Sequence, residues 1–218
     1  MLRGLEASWG VGAVGKVDGP VSRYINRRVS GLISGFIVSR GIPITPNQAT
    51  LISFSTALAA AALIAAGHLI AGGILVEAAS ILDGVDGEIA RARGQATRRG
   101  GFLDTMLDRY ADLLIIAATA LAAHAWGARG IPLLLAALAA LSGDMMVSYL
   151  HARGQMDLGV HPASVGPLDS IASRDVRLLL LAILVAAGQP YAALWALAAL
   201  AHLYSLAKLT YLLAKTGE

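Results

Sequence analysis

The sequence predicts an all-α, polytopic membrane protein: six transmembrane helices preceded by an N-terminal amphipathic interfacial helix. Three observations lead there. Of 218 residues, 56% are hydrophobic and 14% charged, with a mean hydropathy of +0.66, whereas soluble domains carry roughly 25% charged residues. Six apolar stretches each approach the ~20 residues needed to cross a bilayer. Every lysine and arginine except Arg129 falls on one side of the topology those stretches define. The chain has no cysteine, which excludes a disulfide framework and a thiolate metal site.

Residues 1–44 are expected to form a cytoplasmic N-terminal segment, and 45–218 the membrane domain. Within the first, Val21, Ile25, Val29, Leu32 and Phe36 recur at three- or four-residue intervals, with Arg23, Arg27 and Arg28 between them. That is the pattern of a helix lying in the membrane interface. Gly41 and Pro43 break it. Thr45-Pro46-Asn47-Gln48 then restarts helix, with Thr45 as N-cap, Pro46 at the first helical position and Gln48 completing a capping box. The spans fall at about 47–67, 69–92, 101–123, 131–151, 172–188 and 191–213, the fifth being short. Alanine and glycine dominate them, so a closely packed bundle is expected.

The basic residues orient the bundle. Arg3, Lys16, Arg23, Arg27, Arg28 and Arg40 precede the first span; Arg91, Arg93, Arg98 and Arg99 follow the second. Arg153, Arg174 and Arg177 flank the connection after the fourth, and Lys208 and Lys215 lie near the end. By the positive-inside rule both termini and this face are cytoplasmic, which makes the cell membrane the expected location.

That face also carries Asp83, Asp86, Asp104 and Asp108, at the facing ends of the second and third spans. Ionised groups in membrane helices are costly and mark ion paths, proton relays or catalysis. Residues three or four apart share a helix face, so Asp83 pairs with Asp86 and Asp104 with Asp108. Antiparallel packing of the two spans would bring the pairs together, where they repel unless a cation lies between them. Hard oxygen ligands in that number suit Mg²⁺, Mn²⁺ or Ca²⁺. Gly84, Gly87, Ala90 and Gly100 remove side chains nearby; this gives a sugar or base access to the backbone, or simply lets helices pack closely.

The spacing D-x2-D-G-x2-A-R-x8-G-x3-D-x3-D is met at every fixed position by Asp83, Asp86, Gly87, Ala90, Arg91, Gly100, Asp104 and Asp108. In this the chain closely resembles the CDP-alcohol phosphotransferases. The resemblance implies transfer of a phosphoalcohol from a CDP-alcohol to an acceptor hydroxyl, with release of CMP. It implies that Asp83, Asp86, Asp104 and Asp108 hold one or two Mg²⁺ or Mn²⁺ ions, and that Asp108 also serves as general base. Asn47, Gly87, Ala90, Arg91 and Gly100 would contact the cytidine nucleotide. A homodimer is implied as well.

The runs Asp18–Arg28, Thr45–Thr50 and Ser173–Arg177 are similar to the transferase domain of di-myo-inositol phosphate phosphate synthases. This favours CDP-inositol and inositol phosphate as substrates, with Arg153, Arg174 and Arg177 holding the acceptor phosphate. The alternatives are CDP-diacylglycerol as donor, as in phosphatidylinositol-phosphate synthases, and, from another class, a cation transporter. Asp112 is open to both a site role and a structural one. Glu77 and Asp144 are expected to hydrogen-bond between helices, and Glu88 to be solvated.

Overall fold

The computed structural model describes residues 19–166 and 168–216. The expectations for Arg3, Lys16 and Asp18 lie outside them. A π-helical turn, Ser22–Asn26, runs into α1 (Arg27–Ser39). Six longer elements follow in the expected order: α2 (Pro46–Ala65), α3 (Leu69–Ala92), α4 (Arg98–Ala125), α5 (Gly130–Asp157), α6 (Arg174–Ala186) and α7 (Pro190–Thr216). A 3-10 turn, Pro162–Ser164, interrupts the connection between α5 and α6. No strand occurs among the described residues.

Among the described residues three helices are long and apolar enough to cross a membrane: Pro46–Ala65, Gly130–Asp157 and Pro190–Lys215. The other three depart from that pattern for physical reasons. Helices α3 and α4 carry the acids and arginines at their facing ends, and α6 has 13 residues, about 20 Å of helix. The interior is built mainly of alanine, with Ala57, Ala60, Ala118, Ala122, Ala136 and Ala140 around Ile64, Val76, Ile115 and Leu194. Small side chains let helix axes approach closely. At Gly73 a Cβ would stand 2.6 Å from the Ala182 carbonyl oxygen, so glycine there allows α3 to touch α6. Larger apolar residues such as Leu51, Ile74, Leu135, Leu138, Leu203 and Leu213 face outward.

One expectation about packing is revised. Helices α3 and α4 barely touch along their lengths; α2 packs against both of them, and α3 leans on α1 and α6. The two aspartate pairs therefore face each other across a cleft instead of along a helix seam. Mutual repulsion of the acids disfavours a seam, and α2 acts as a wedge between the two helices.

The N-terminal elements turn their polar residues to the bundle. Ile25, Val29, Leu32 and Phe36 are exposed, while Asn26, Ser30 and Ser34 are buried against the bundle. Ser30 and Ser34 donate to the Glu88 carboxylate at 2.8 and 2.6 Å, and Arg27 pairs with it at 3.4 Å. Glu88 is thus partnered by α1 and not solvated. Its contacts fasten α1 to α3, which positions the preceding π turn over the cleft.

Candidate active site

Local sequence features fix where the site residues stand. The Thr45 hydroxyl accepts from Gln48 N, and Gln48 Oε1 accepts from Thr45 N at 2.9 Å, completing the capping box. Arg93 donates to the carbonyls of Ile42 and Ile44 at 2.7 and 2.6 Å, tying the entry of α2 to the end of α3. Gly94, at φ 65°, closes α3: its N–H reaches Arg91 O, and that of Gln95 reaches Ala90 O at 2.8 Å. Such a left-handed closure suits glycine. Three residues later Thr97 caps α4 by accepting from Gly100 N at 3.0 Å. This short link brings Asp104 and Asp108 back toward Asp83 and Asp86.

Asp83, Asp104 and Asp108 each offer a carboxylate oxygen within 4.8 Å of the other two. Asp86 is oriented separately. It is buried, accepts from Thr50 Oγ1 and Gly87 N, and lies in hydrogen-bonding contact with Asp104. Asp104 Oδ1 is buried without a hydrogen-bond partner among the described residues. Carboxylates in such contact, with an orphaned oxygen, need a proton or a cation between them. The donor set is oxygen only, which fits a hard divalent ion.

Two cavities open on this cluster. The first, about 160 Å³, is lined by Asn47, Thr50, Asp86, Gly87, Ala90, Arg91, Gln95, Thr97, Gly100 and Asp104. All five residues expected to contact a nucleotide meet here. A Cβ at Gly87 would stand 3.1 Å from Arg91 Nη1, and one at Gly100 would stand 3.5 Å from Asn47 Oδ1. Glycine at both places keeps the space clear.

The second cavity, about 330 Å³, is lined by Asp83, Asp108, Arg109, Ser148, His151, His161, Arg174 and Arg177, and by Ser22, Asn26, Arg27, Ser80, Ser173 and Asp175. Arg174 bridges the acids, with Nη1 at 3.1 Å from Asp83 and 3.0 Å from Asp108, and Nε at 3.0 Å from Asp112. Asp112 is fully buried and also pairs with Arg109 at 2.9 Å. Arg177 binds the Asp144 carboxylate and donates to its carbonyl at 2.9 Å. Burial holds the His161 imidazole below its ordinary pKa. Arg153 is not brought to this cavity: it pairs with Asp157 at 2.7 Å on an exposed face one helical turn on.

Some participants were not legible beforehand. Thr50 stands three residues from Asn47, on the same face of α2, and that spacing was its only signal. Arg109 had none beyond its place inside α4. Of the two acids expected to bond between helices, Asp144 does so, to Arg177 of α6 and Arg109 of α4, while neither oxygen of Glu77 has a partner among the described residues.

The fold and site are those of an all-helical bundle that opens two cavities onto a carboxylate cluster. The chain is a member of the CDP-alcohol phosphatidyltransferase family, whose model matches residues 43–207. It is 46% identical over 194 residues to a bifunctional IPC transferase and DIPP synthase of Rubrobacter xylanophilus, covering 88% of this chain and 42% of that protein. It is 34% identical over 139 residues to an archaetidylinositol phosphate synthase of Pyrococcus horikoshii, covering 63% of this chain and 67% of that one. The chain spans less than half the length of the bifunctional relatives it matches. The crystal structure of Mycobacterium tuberculosis phosphatidylinositol phosphate synthase with manganese and citrate is similar at a TM-score of 0.68 and 25% identity, covering 83% of this chain and 87% of that one. The same protein with CDP-DAG bound gives 0.68 at 25% identity, with 84% and 92% covered.

Proposed function

We propose that this protein transfers a phosphoalcohol from a CDP-alcohol to the hydroxyl of a phosphorylated acceptor, releasing CMP. The observation that carries the reading is the division of the four aspartates. Asp86 and Asp104 line the first cavity and Asp83 and Asp108 the second, so one reactant on each side would meet at the acids. The nucleotide belongs in the first, against Asn47, Gly87, Ala90, Arg91 and Gly100. The acceptor belongs in the second, its phosphate held by Arg174 and Arg177, since guanidinium forks match phosphate oxygens. Arg153 drops out of this assignment.

Asp83, Asp86, Asp104 and Asp108 are the residues that would hold one or two Mg²⁺ or Mn²⁺ ions. A bound ion there neutralises pyrophosphate charge and stabilises CMP as it leaves. Asp108 takes the proton from the acceptor hydroxyl. The hydroxyl oxygen then forms a bond to the β-phosphorus as the bond from that phosphorus to the bridging oxygen breaks. Arg174, between Asp83 and Asp108, keeps the acids of the acceptor side apart from a phosphate they would otherwise repel. Positioning and charge do most of the work in such transfers.

CDP-inositol and inositol phosphate are the favoured pair, supported by the likeness to the bifunctional relatives. A second reading, with CDP-diacylglycerol as donor, is supported by the CDP-DAG bound to the mycobacterial relative and by an apolar groove beside α2 lined by Ile42, Leu51, Ile52, Ala59 and Leu75. The family match argues against the transporter alternative. In this reading α2–α7 are six spans forming a membrane domain over 45–218. Within segment 1–44, α1 lies in the interface. Both termini and the acids face the cytoplasm, and the protein is a homodimer. The test is CMP release from CDP-inositol and from CDP-diacylglycerol, each offered free inositol, inositol phosphate and glycerol phosphate. Release from CDP-inositol that is most efficient with inositol phosphate supports the first reading. Release from no combination defeats both.

A further inference from the structure

The proposed reaction explains how the arginines of the second cavity engage a phosphate, but not what the amide and hydroxyl groups lining it beside the π turn would bind. There the π turn Ser22–Asn26 closes onto the start of α6: Ser22 N donates to Asp175, and a Cβ at Gly19 would collide with Ser173 and Asp175. Asn26 is 4% exposed and lines the cavity. Its Nδ2 donates to Ser80 Oγ at 3.0 Å, while its Oδ1 is buried without a partner among the described residues. Ser173 Oγ, which lines the same cavity, is also buried without a partner among the described residues. Buried polar atoms are nearly always satisfied in native proteins, and each one left unmade costs about 1–3 kcal/mol. Two of them lining one cavity call for a ligand that supplies hydroxyls. A π turn is also a common device for aiming a side chain at a functional site.

We propose that Asn26 and Ser173 bind ring hydroxyls of a polyol phosphate acceptor and so select it over acceptors with fewer hydroxyls. This rests on the assignment of the second cavity to the acceptor. Asn26 Oδ1 accepts from one hydroxyl, and Ser173 Oγ exchanges a hydrogen bond with another. A site built to hydrogen-bond hydroxyls discriminates against analogues that lack them, because its own groups are then left unpaired.

The experiment measures kinetics of the full chain with CDP-inositol, using inositol phosphate and glycerol phosphate as acceptors. Asn26→Ala is expected to raise the inositol phosphate KM about tenfold, and Ser173→Ala about threefold to fivefold. The glycerol phosphate and CDP-inositol KM values should change less than twofold. Ser173→Ala removes a hydroxyl with no hydrogen bond in the structure, so it decides the matter if Asn26→Ala does not fold. Equal shifts for both acceptors, or none for either, overturn the proposal. If the wild type releases no CMP with any acceptor, the parent reading fails instead.

Discussion

Asp108 and its three companions carry different burdens, and substitution separates them. Asp83→Asn, Asp86→Asn or Asp104→Asn removes an anionic oxygen from a cluster that already holds an orphaned one, and each should reduce CMP release below one part in a hundred. Asp108→Asn should retain CDP-alcohol binding while turnover falls by about 10²–10⁴; loss of binding in that variant would make its role chiefly that of a ligand. Adding a chelator should stop wild-type release, and Mg²⁺ or Mn²⁺ should restore it. The eight motif positions were legible because their types and gaps are fixed by chemistry. Thr50, which orients Asp86, was not, since a threonine three residues after Asn47 looks like any other polar residue on a packed helix face. Nor was the outward pairing of Arg153 with Asp157, an i,i+4 contact that competes locally with any site beyond reach of its helix.

At the level of helices, order and boundaries followed from apolar runs and caps. The ends of α2 at Pro46 and of α3 at Ala92 match the capping box and the Gly94 closure. What pattern could not reveal was which helices touch. A five-residue connection between α3 and α4 implied a packed antiparallel pair, yet α2 separates them, because nothing in a local pattern records a third helix. Glu88 shows the same limit. Pointing away from the Asp83–Asp86 face it reads as solvated, but α1 folds two serines and Arg27 onto it. Glu88→Ala should therefore lower the thermal midpoint in detergent by several degrees, corresponding to about 1–3 kcal/mol for the lost buried hydrogen bonds. Glu88→Gln, which keeps an acceptor oxygen, should lose less. A midpoint unchanged in Glu88→Ala would show that α1 is held by its apolar contacts alone.

Across the whole molecule, the arrangement joins membrane topology to a two-sided reaction centre. The natural lack of cysteine makes sidedness directly measurable. In intact cells, Ala128→Cys should react with a membrane-impermeant maleimide, while Ala96→Cys should react only after permeabilisation. The reverse pattern would invert the proposed orientation. The claim on which the rest depends is that donor and acceptor occupy separate cavities meeting at the aspartates. The most direct test is the KM for each substrate in Arg91→Ala and Arg174→Ala, one arginine from each cavity. Arg91→Ala should raise the CDP-alcohol KM about tenfold or more with the acceptor KM nearly fixed, and Arg174→Ala should do the opposite. Both variants raising the same KM would place the two arginines in one binding site and contradict the account.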